Sequence, residues 1–312
     1  MKVLITGGNG YIGGRLAKNL LDNNYHVSIA SRDISKINLS SKNLDLIELD
    51  WLNTQSINKS CRNIDVVIHA AGMNSKESEN NVKDAIEFRK KSTSMLIEAS
   101  QTSNVKKFIY ISTAHVYSNN LSGEISEETI PNNFHPYALS HLAAENEVLD
   151  ANNNNNFFGT IIRLSNCFGA PINKDINCWM LLVNNLCKQL IETRALQLYS
   201  DGSEYRDFIS LEEFNRIMRF LISTKYDSKL FQIINVGSGH SLTVIEMTEL
   251  IRTRCQHILG FSPKILIPDK RSNANERNLV YKTELLNKLG IDGKNSSISE
   301  IDNLLKFCES TF

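Results

Sequence analysis

Met1-Lys2-Val3-Leu4-Ile5-Thr6-Gly7-Gly8-Asn9-Gly10-Tyr11-Ile12-Gly13 opens the chain and decides its fold. Residues 2–6 form a short apolar run of strand type, and glycines follow at once. Tyr11, Ile12, Leu16, Leu20 and Leu21 then recur at helical spacing. Strand, glycine turn and helix in that order begin a dinucleotide-binding unit. In this reading Gly8 allows the sharp turn, Gly10 lets a pyrophosphate approach the backbone, and Gly13 lets helix and strand pack closely. The helix N-terminus offers the phosphates N–H groups and the positive end of its dipole. Gly7, Gly10, Tyr11, Ile12 and Gly13 are therefore the first expected cofactor contacts.

The same rhythm continues outward. Strand patterns occupy 2–6, 26–30, 44–49, 65–70, 107–112 and 159–164, with helical patterns at 10–23, 79–103 and 137–152 between several of them. Alternation of this kind predicts an α/β fold, a doubly wound parallel sheet of Rossmann type. Beyond about residue 165 the alternation loosens. Helical patterns at 175–192, 211–224, 243–259 and 297–309 are separated by short strands at 231–236 and 264–267. The expected organisation is a dinucleotide-binding domain over 1–165 and a smaller, mostly helical C-terminal substrate-binding lobe over 166–312, with segments near 205–240 returning to the sheet. The asparagine run at 152–156 is a polar surface connection.

Composition narrows the partners. The 312 residues carry 34 Lys plus Arg and 34 Asp plus Glu, so no net charge advertises a nucleic-acid or membrane partner. The six cysteines, at 61, 167, 178, 187, 255 and 308, show no metal-ligand spacing. Reduced thiols, no metal and a cytoplasmic location are the expectation. The fold begins at residue 2 with no leader pattern before it, and no apolar run approaches the length of a membrane span.

Chemistry is expected at the strand ends. The second strand ends in Ser31-Arg32, where this fold meets the adenosine ribose. An acid there would bind the 2′-hydroxyl. A hydroxyl and a guanidinium suit a 2′-phosphate instead, which favours NADP, with NAD possible. The competing reading makes Arg32 a solvated charge and gives the ribose to Asp33. Asp50-Trp51 ends the third strand, where a carboxylate can accept from the adenine amino group, or simply cap a helix. Ala70, Ala71 and Gly72 end the fourth, small enough for a cofactor to lie against the backbone, or simply core. Thr113 follows the fifth strand. Tyr137 opens a helix, with His141 four residues on along the same face. A hydroxyl, a phenol and a cationic partner can polarise a carbonyl and pass it a proton. A phenol ionises near ~10, so it needs a neighbouring cation to work at neutral pH.

These residues carry a resemblance. Thr-Gly-Gly-Asn-Gly-Tyr-Ile-Gly at 6–13, Ser-Thr-Ala-His-Val-Tyr at 112–117, Pro-Tyr-Ala-Leu-Ser at 136–140, Arg-Leu-Ser-Asn-Cys-Phe-Gly-Ala-Pro at 163–171, Arg-Asp-Phe-Ile at 206–209 and Asn-Val-Gly-Ser-Gly at 235–239 occur in order. Over residues 1–289 the chain resembles the extended short-chain dehydrogenase/reductase family of sugar-nucleotide epimerases, dehydratases and ketoreductases. The resemblance implies that Thr113 hydrogen-bonds the reacting oxygen and that Tyr137 is the acid/base. It implies that Asn166 and Arg206 hold the nucleotide sugar, Arg206 near its diphosphate, with Arg271 a looser second diphosphate ligand. Surface ion pairing is the plainer account of both arginines. A homodimer through the helices at 79–103 and 137–152, and a place in surface-polysaccharide biosynthesis, are further implications.

Two departures stand out. His141 replaces the family lysine that holds the nicotinamide ribose and lowers the tyrosine pKa, and Arg89 replaces an asparagine. Histidine, with an unperturbed pKa near ~6.5, is only partly charged at neutral pH. Ala114-His115 replaces the dehydratases' acidic pair, which argues against water elimination. His115 either shuttles a proton, orients the substrate or packs beneath the sugar. The expected function is an NAD(P)-dependent oxidoreductase of a nucleotide-activated sugar, foremost a 4-keto-sugar reductase with Tyr137 as proton donor. The alternatives are a redox-neutral epimerase and a cofactor-binding regulatory protein with weakened catalysis.

Overall fold

The structure is a computed structural model that describes residues 1–153, 157–226, 230–268, 278–291 and 296–312. Its elements run β1 (Lys2–Thr6), α1 (Tyr11–Asp22), β2 (His26–Ser31), β3 (Leu44–Glu48), α2 (Thr54–Ser60), β4 (Val66–His69), α3 (Ser75–Asn80) and α4 (Val82–Thr102). Next come β5 (Lys107–Thr113), β6 (Gly123–Ile125), α5 (Pro136–Asn153), β7 (Gly159–Leu164), β8 (Asn166–Phe168), α6 (Leu182–Thr193), β9 (Ala195–Gln197) and β10 (Tyr205–Ser210). The chain continues with α7 (Leu211–Ser223), β11 (Ile233–Val236), β12 (Ser241–Thr243), α8 (Val244–Leu259), β13 (Lys264–Leu266), β14 (Leu279–Tyr281), α9 (Glu284–Lys288) and α10 (Ser297–Thr311).

One seven-stranded sheet has the order β11-β7-β5-β4-β1-β2-β3. From β3 across to β7 every neighbouring pair is parallel. This is the doubly wound sheet expected from the alternation. Strand order reverses between β1 and β4, so the chain leaves those two strands in opposite directions along the sheet and opens a crevice at their carboxyl ends. The strands are apolar on both faces, as a sheet covered on both sides requires: Val3, Leu4, Ile5, Val67, Ile68 and Ile109 are all fully buried.

The chain divides into two compact units. The first comprises 1–119, 130–164 and 217–235, and its core joins Leu4, Val67, Leu96, Phe108, Val148 and Ile161. Within it the Lys107 ammonium donates to the carbonyls of Leu221 (2.7 Å), Ile222 (3.2 Å) and Thr224, closing the C-terminus of α7. Burial pulls that ammonium down to about 8. The second unit comprises 120–129, 165–216 and 236–312. It contains helices α6, α8, α9 and α10 and three small sheets, β12-β10-β8, β13-β9 and β14-β6. Its core gathers Phe168, Leu186, Leu190, Met247, Ile251, Leu304 and Leu305. The buried Glu300 carboxylate of α10 accepts from the backbone N–H of Ala170 (3.1 Å) and of Glu212 (3.1 Å), the second at the start of α7. Among the described residues no helix is long and apolar enough to cross a membrane, and no His/Cys/Asp/Glu group could hold a metal.

Two helical expectations are corrected. The pattern at 79–103 is two helices, because Asn81 leaves helical geometry (φ −139°, ψ 66°) between α3 and α4. The Asn74 capping box starts α3 as a separate turn. The pattern at 175–192 becomes helix only from Leu182, because the preceding segment closes local turns. There Asn173 accepts from the Asp175 N–H, and the Trp179 indole donates to the Lys174 carbonyl at 2.9 Å.

Candidate functional site

The β1 turn shows why each glycine is needed. Gly7 carries the left-handed conformation (φ +73°), so the sharp turn sits there and not at Gly8. Gly8 has a different reason: a side chain would collide with Ile29 of β2. At Gly13 a side chain would run into the Gly7 carbonyl, so α1 starts directly against the turn. Gly10 differs again, since a Cβ there would meet only the Gly7 oxygen, at 3.1 Å. Gly10 is also the N-cap of α1, without a side-chain cap and with no acid in the first turn. Tyr11, Ile12 and Gly13 follow as the first helical turn. An open glycine edge and an uncapped helix N-terminus fit a dinucleotide pyrophosphate.

The end of β4 closes on that turn. A side chain at Gly7 would meet the Ala70 and Ala71 backbone at 2.9 Å. The buried His69 ring bridges Thr6 Oγ1 (2.7 Å) and Thr93 Oγ1 (3.1 Å), which ties β1, β4 and α4 together. Burial takes its pKa down to about 3, so His69 is neutral.

A cavity of about 480 Å³ lies at the ends of β2 and β3, with Arg32, Glu48, Asp50, Trp51, Phe88 and Lys91 among its lining. Trp51 is nearly buried and meets Phe88 edge-on, with centroids 5.9 Å apart. Asp50 accepts from the Leu52 N–H (2.9 Å), while the cap of α2 is Asn53. Ser31 exchanges hydrogen bonds with the Asp33 backbone through its hydroxyl. The Asp33 carboxylate accepts from Ser35 N and Oγ and pairs with Lys36 at 3.2 Å. Arg32 is exposed on the cavity. Of the two acid-or-base readings of this strand end, Asp33 is the group already engaged locally.

The chemical face lies where β5 ends and α5 begins. Thr113 is the last residue of β5, and its hydroxyl accepts from the His115 N–H at 3.2 Å. Asn133 donates to the His115 carbonyl at 2.6 Å, and its own Oδ1 accepts from the His135 N–H. Pro136 occupies the first position of α5, as its fixed φ favours. The His135 ring accepts the Tyr137 N–H at 3.2 Å. Tyr137 and His141 then meet edge-to-face, centroids 4.6 Å apart at 71°. One turn further, Glu145 is buried in an ion pair with Arg163 (2.6 Å) and accepts from Ser112. The Arg163 guanidinium also lies 4.7 Å from the centre of the Tyr117 ring.

His141 is not the cation that the four-residue spacing suggested. It is 4% exposed, and its Nδ1 shares a hydrogen bond with the Tyr110 hydroxyl at 2.9 Å. Its Nε2 is buried and has no partner among the described residues. Burial, and after it the positive Arg89, hold the imidazole neutral, well below its usual range. Burial likewise raises the Tyr137 phenol, against a lowering pull from Arg89.

Arg89, which sequence reading noted only as a departure, is buried with its guanidinium carbon 5.9 Å from the Tyr137 ring centre. It is 4% exposed on the buried stripe of α4 formed by Ala85, Arg89, Ser92, Thr93 and Leu96. A charge inside such a stripe is the signal that marks it. Asn166 and Arg206 lie in the second unit. Asn166 donates to the Asp207 carbonyl (3.0 Å), and Arg206 pairs with Glu204 (3.0 Å) at a partly exposed position. Arg271 lies outside the described residues.

Comparison with known proteins follows the same lines. A sequence model of the NAD dependent epimerase/dehydratase family matches residues 3–237. The low-salt glycan biosynthesis protein Agl12 of Haloferax volcanii is 23% identical over 91% of both chains. The UDP-N-acetylglucosamine 4-epimerase of Methanobrevibacter ruminantium superposes with a TM-score of 0.83 at 21% identity, covering 99% of this chain and 98% of that one. The UDP-glucuronic acid 4-epimerase of Bacillus cereus, solved with UDP-glucuronic acid and NAD, gives 0.80 at 24% identity over 99% of each. At these identities the two solved structures establish the shared fold.

Proposed function

The chain belongs to the NAD dependent epimerase/dehydratase family, and from that premise we propose that it is a nucleotide-sugar reductase in which Tyr137 gives a proton to a sugar carbonyl. The observation that carries this reading is the end of β2, where Arg32 is exposed on the cavity while Asp33 is engaged by Ser35 and Lys36. A strand end suited to the 2′-phosphate favours a cofactor consumed in net reduction, with Tyr137 as the proton donor to the sugar carbonyl.

A nicotinamide dinucleotide supplies the hydride when bound. Residues of this chain do the rest. Gly7, Gly10, Tyr11, Ile12 and Gly13 receive the pyrophosphate, and the backbone of Ala70, Ala71 and Gly72 lies along the cofactor. Trp51 and Phe88 give the adenine an apolar wall, with Asp50 at its edge. Arg32, with Lys91 on the same cavity and Asp33 occupied by Ser35 and Lys36, supports a preference for the 2′-phosphate of NADP. The unpartnered Nε2 of His141 is suited to a ribose hydroxyl. Thr113 hydrogen-bonds the carbonyl oxygen and Tyr137 protonates it. His115 orients the sugar beside them. Asn166, Arg206 and Arg271 hold the nucleotide part, which requires Arg206 to exchange Glu204 for a phosphate. Assembly as a homodimer through α4 and α5, in the cytoplasm, completes the proposal.

The test is a titration of purified protein with NADPH and with NADH by nicotinamide fluorescence, followed by incubation with nucleotide 4-keto-sugars. Tighter NADPH binding and stoichiometric NADPH oxidation are expected. A redox-neutral 4-epimerase is the second reading, favoured by the names of the two superposed enzymes and by the NAD bound in one of them. Interconversion of nucleotide sugars with no net cofactor consumption would establish it and remove the reductase.

A further inference from the structure

We propose that the Arg89 guanidinium, delivered from α4, is the fixed positive charge that serves the Tyr137 phenol, a positioning role that His141 does not fill. The proposal rests on Tyr137 being the proton carrier, and it concerns what steadies the anion that remains after the proton has left.

The geometry holds Arg89 in one place. Its Nη2 donates to the Met73 carbonyl at 2.7 Å, and its Nε donates to Ser140 Oγ at 3.1 Å. Ser140 in turn donates to the Tyr137 carbonyl at 2.8 Å, so the guanidinium and the first turn of α5 are fixed to one another. The guanidinium carbon lies 5.9 Å from the centre of the Tyr137 ring. Gly72 makes room for it: any side chain there would occupy the guanidinium's space. A buried arginine is costly to desolvate and persists where its hydrogen bonds are met and its charge has a use. Here two donors are satisfied by neutral acceptors, the charge also bears on the buried Tyr110 phenol, and no carboxylate pairs with it in the described contacts.

The other titratable groups around Tyr137 do not supply that charge. On α5, His141 is neutral. On β5, Tyr110 is itself a phenol raised by burial. On β4, His69 is neutral. Glu145 is tied to Arg163, and His135, at the head of α5, pairs with Glu79 at 3.0 Å. His115 follows Thr113 and bears on His141, not on the Tyr137 phenol. Arg89 is the cation that acts on the Tyr137 phenol, opposing its burial.

The experiment places a fluorinated tyrosine at position 137 and follows its ionisation by fluorine NMR in cofactor-free protein. Arg89→Asn should raise the midpoint by about one unit or more, the usual effect of losing a close opposite charge. Arg89→Lys should keep most of the wild-type midpoint. The double change Arg89→Asn with His141→Lys, which moves the charge to the ring that Tyr137 already touches, should bring the midpoint back down. A midpoint unmoved by Arg89→Asn overturns the proposal. If that variant does not fold, Arg89→Gln decides: a midpoint displaced upward supports the charge role, and one at the wild-type value overturns it. Turnover of nucleotide keto-sugars is assayed separately. Coupling without turnover would sink the reductase reading and sustain the Arg89 assignment; turnover without coupling would do the reverse.

Discussion

At the scale of single residues, the proposed proton donor is the Tyr137 hydroxyl. Tyr137→Phe keeps the ring that meets His141 edge-on and removes only that oxygen. Turnover should fall by ~10²-fold or more, the usual contribution of a positioned acid, while NADPH affinity stays close to wild type. Steady-state rates and a fluorescence titration on the same preparation check both halves, and retained turnover would move the proton donor elsewhere. The places of Thr113 at a strand end and Tyr137 at a helix start are legible in the sequence because both are local patterns. The charge states are not legible there. His141 looks like a partial cation until its burial is known, and Arg89 is only a departure from asparagine until the stripe on α4 places it against Gly72 and Ser140.

At the scale of elements, the joint between β1 and α1 leaves no room for a side chain at Gly13. Gly13→Ala would push a methyl group into the Gly7 carbonyl, which is backbone and cannot swing aside. The start of α1 must then shift, costing about 1–3 kcal/mol as overpacking does. Dinucleotide affinity should weaken by at least tenfold in the same variant; an unchanged titration would mean that the helix N-terminus is not the phosphate site. Sequence patterns located long elements well, because a run of apolar residues has a period: 2–6 and 159–164 coincide with β1 and β7. They failed where one side chain interrupts the period, as Asn81 does between α3 and α4. They also failed for the three-residue strands of the second unit, such as β6 and β14, which are too short to show any period and exist through pairing across distant sequence.

At the scale of the whole molecule, the buried neutral histidines set a limit on acid stability. His69 titrates near 6.5 in an unfolded chain and at about 3 when folded, and His141 is lowered in the same direction. Below pH 6.5 the unfolded chain binds protons that the folded one refuses. Their contribution is therefore complete above about pH 6.5 and lost as pH falls toward the folded values, at up to about 1.4 kcal/mol per unit for each ring. Urea unfolding between pH 7 and 5, above the main carboxylate range, should show the decline. A flat profile there would mean that both rings take up protons in the fold.

The chain passes between its two compact units five times, so each is assembled from three separate stretches of sequence. Shuffling parts between relatives to change which sugar is accepted is therefore not a single-crossover exercise. A chimera joined once, near residue 165, would leave the 120–129 stretch, whose β6 pairs with β14, with its old parent. Its new neighbour would then have to match that strand by chance. Exchanging the second unit as an inheritable module requires three inserts made together, and libraries built from one breakpoint will mostly sample mismatched β6–β14 seams instead of new specificities.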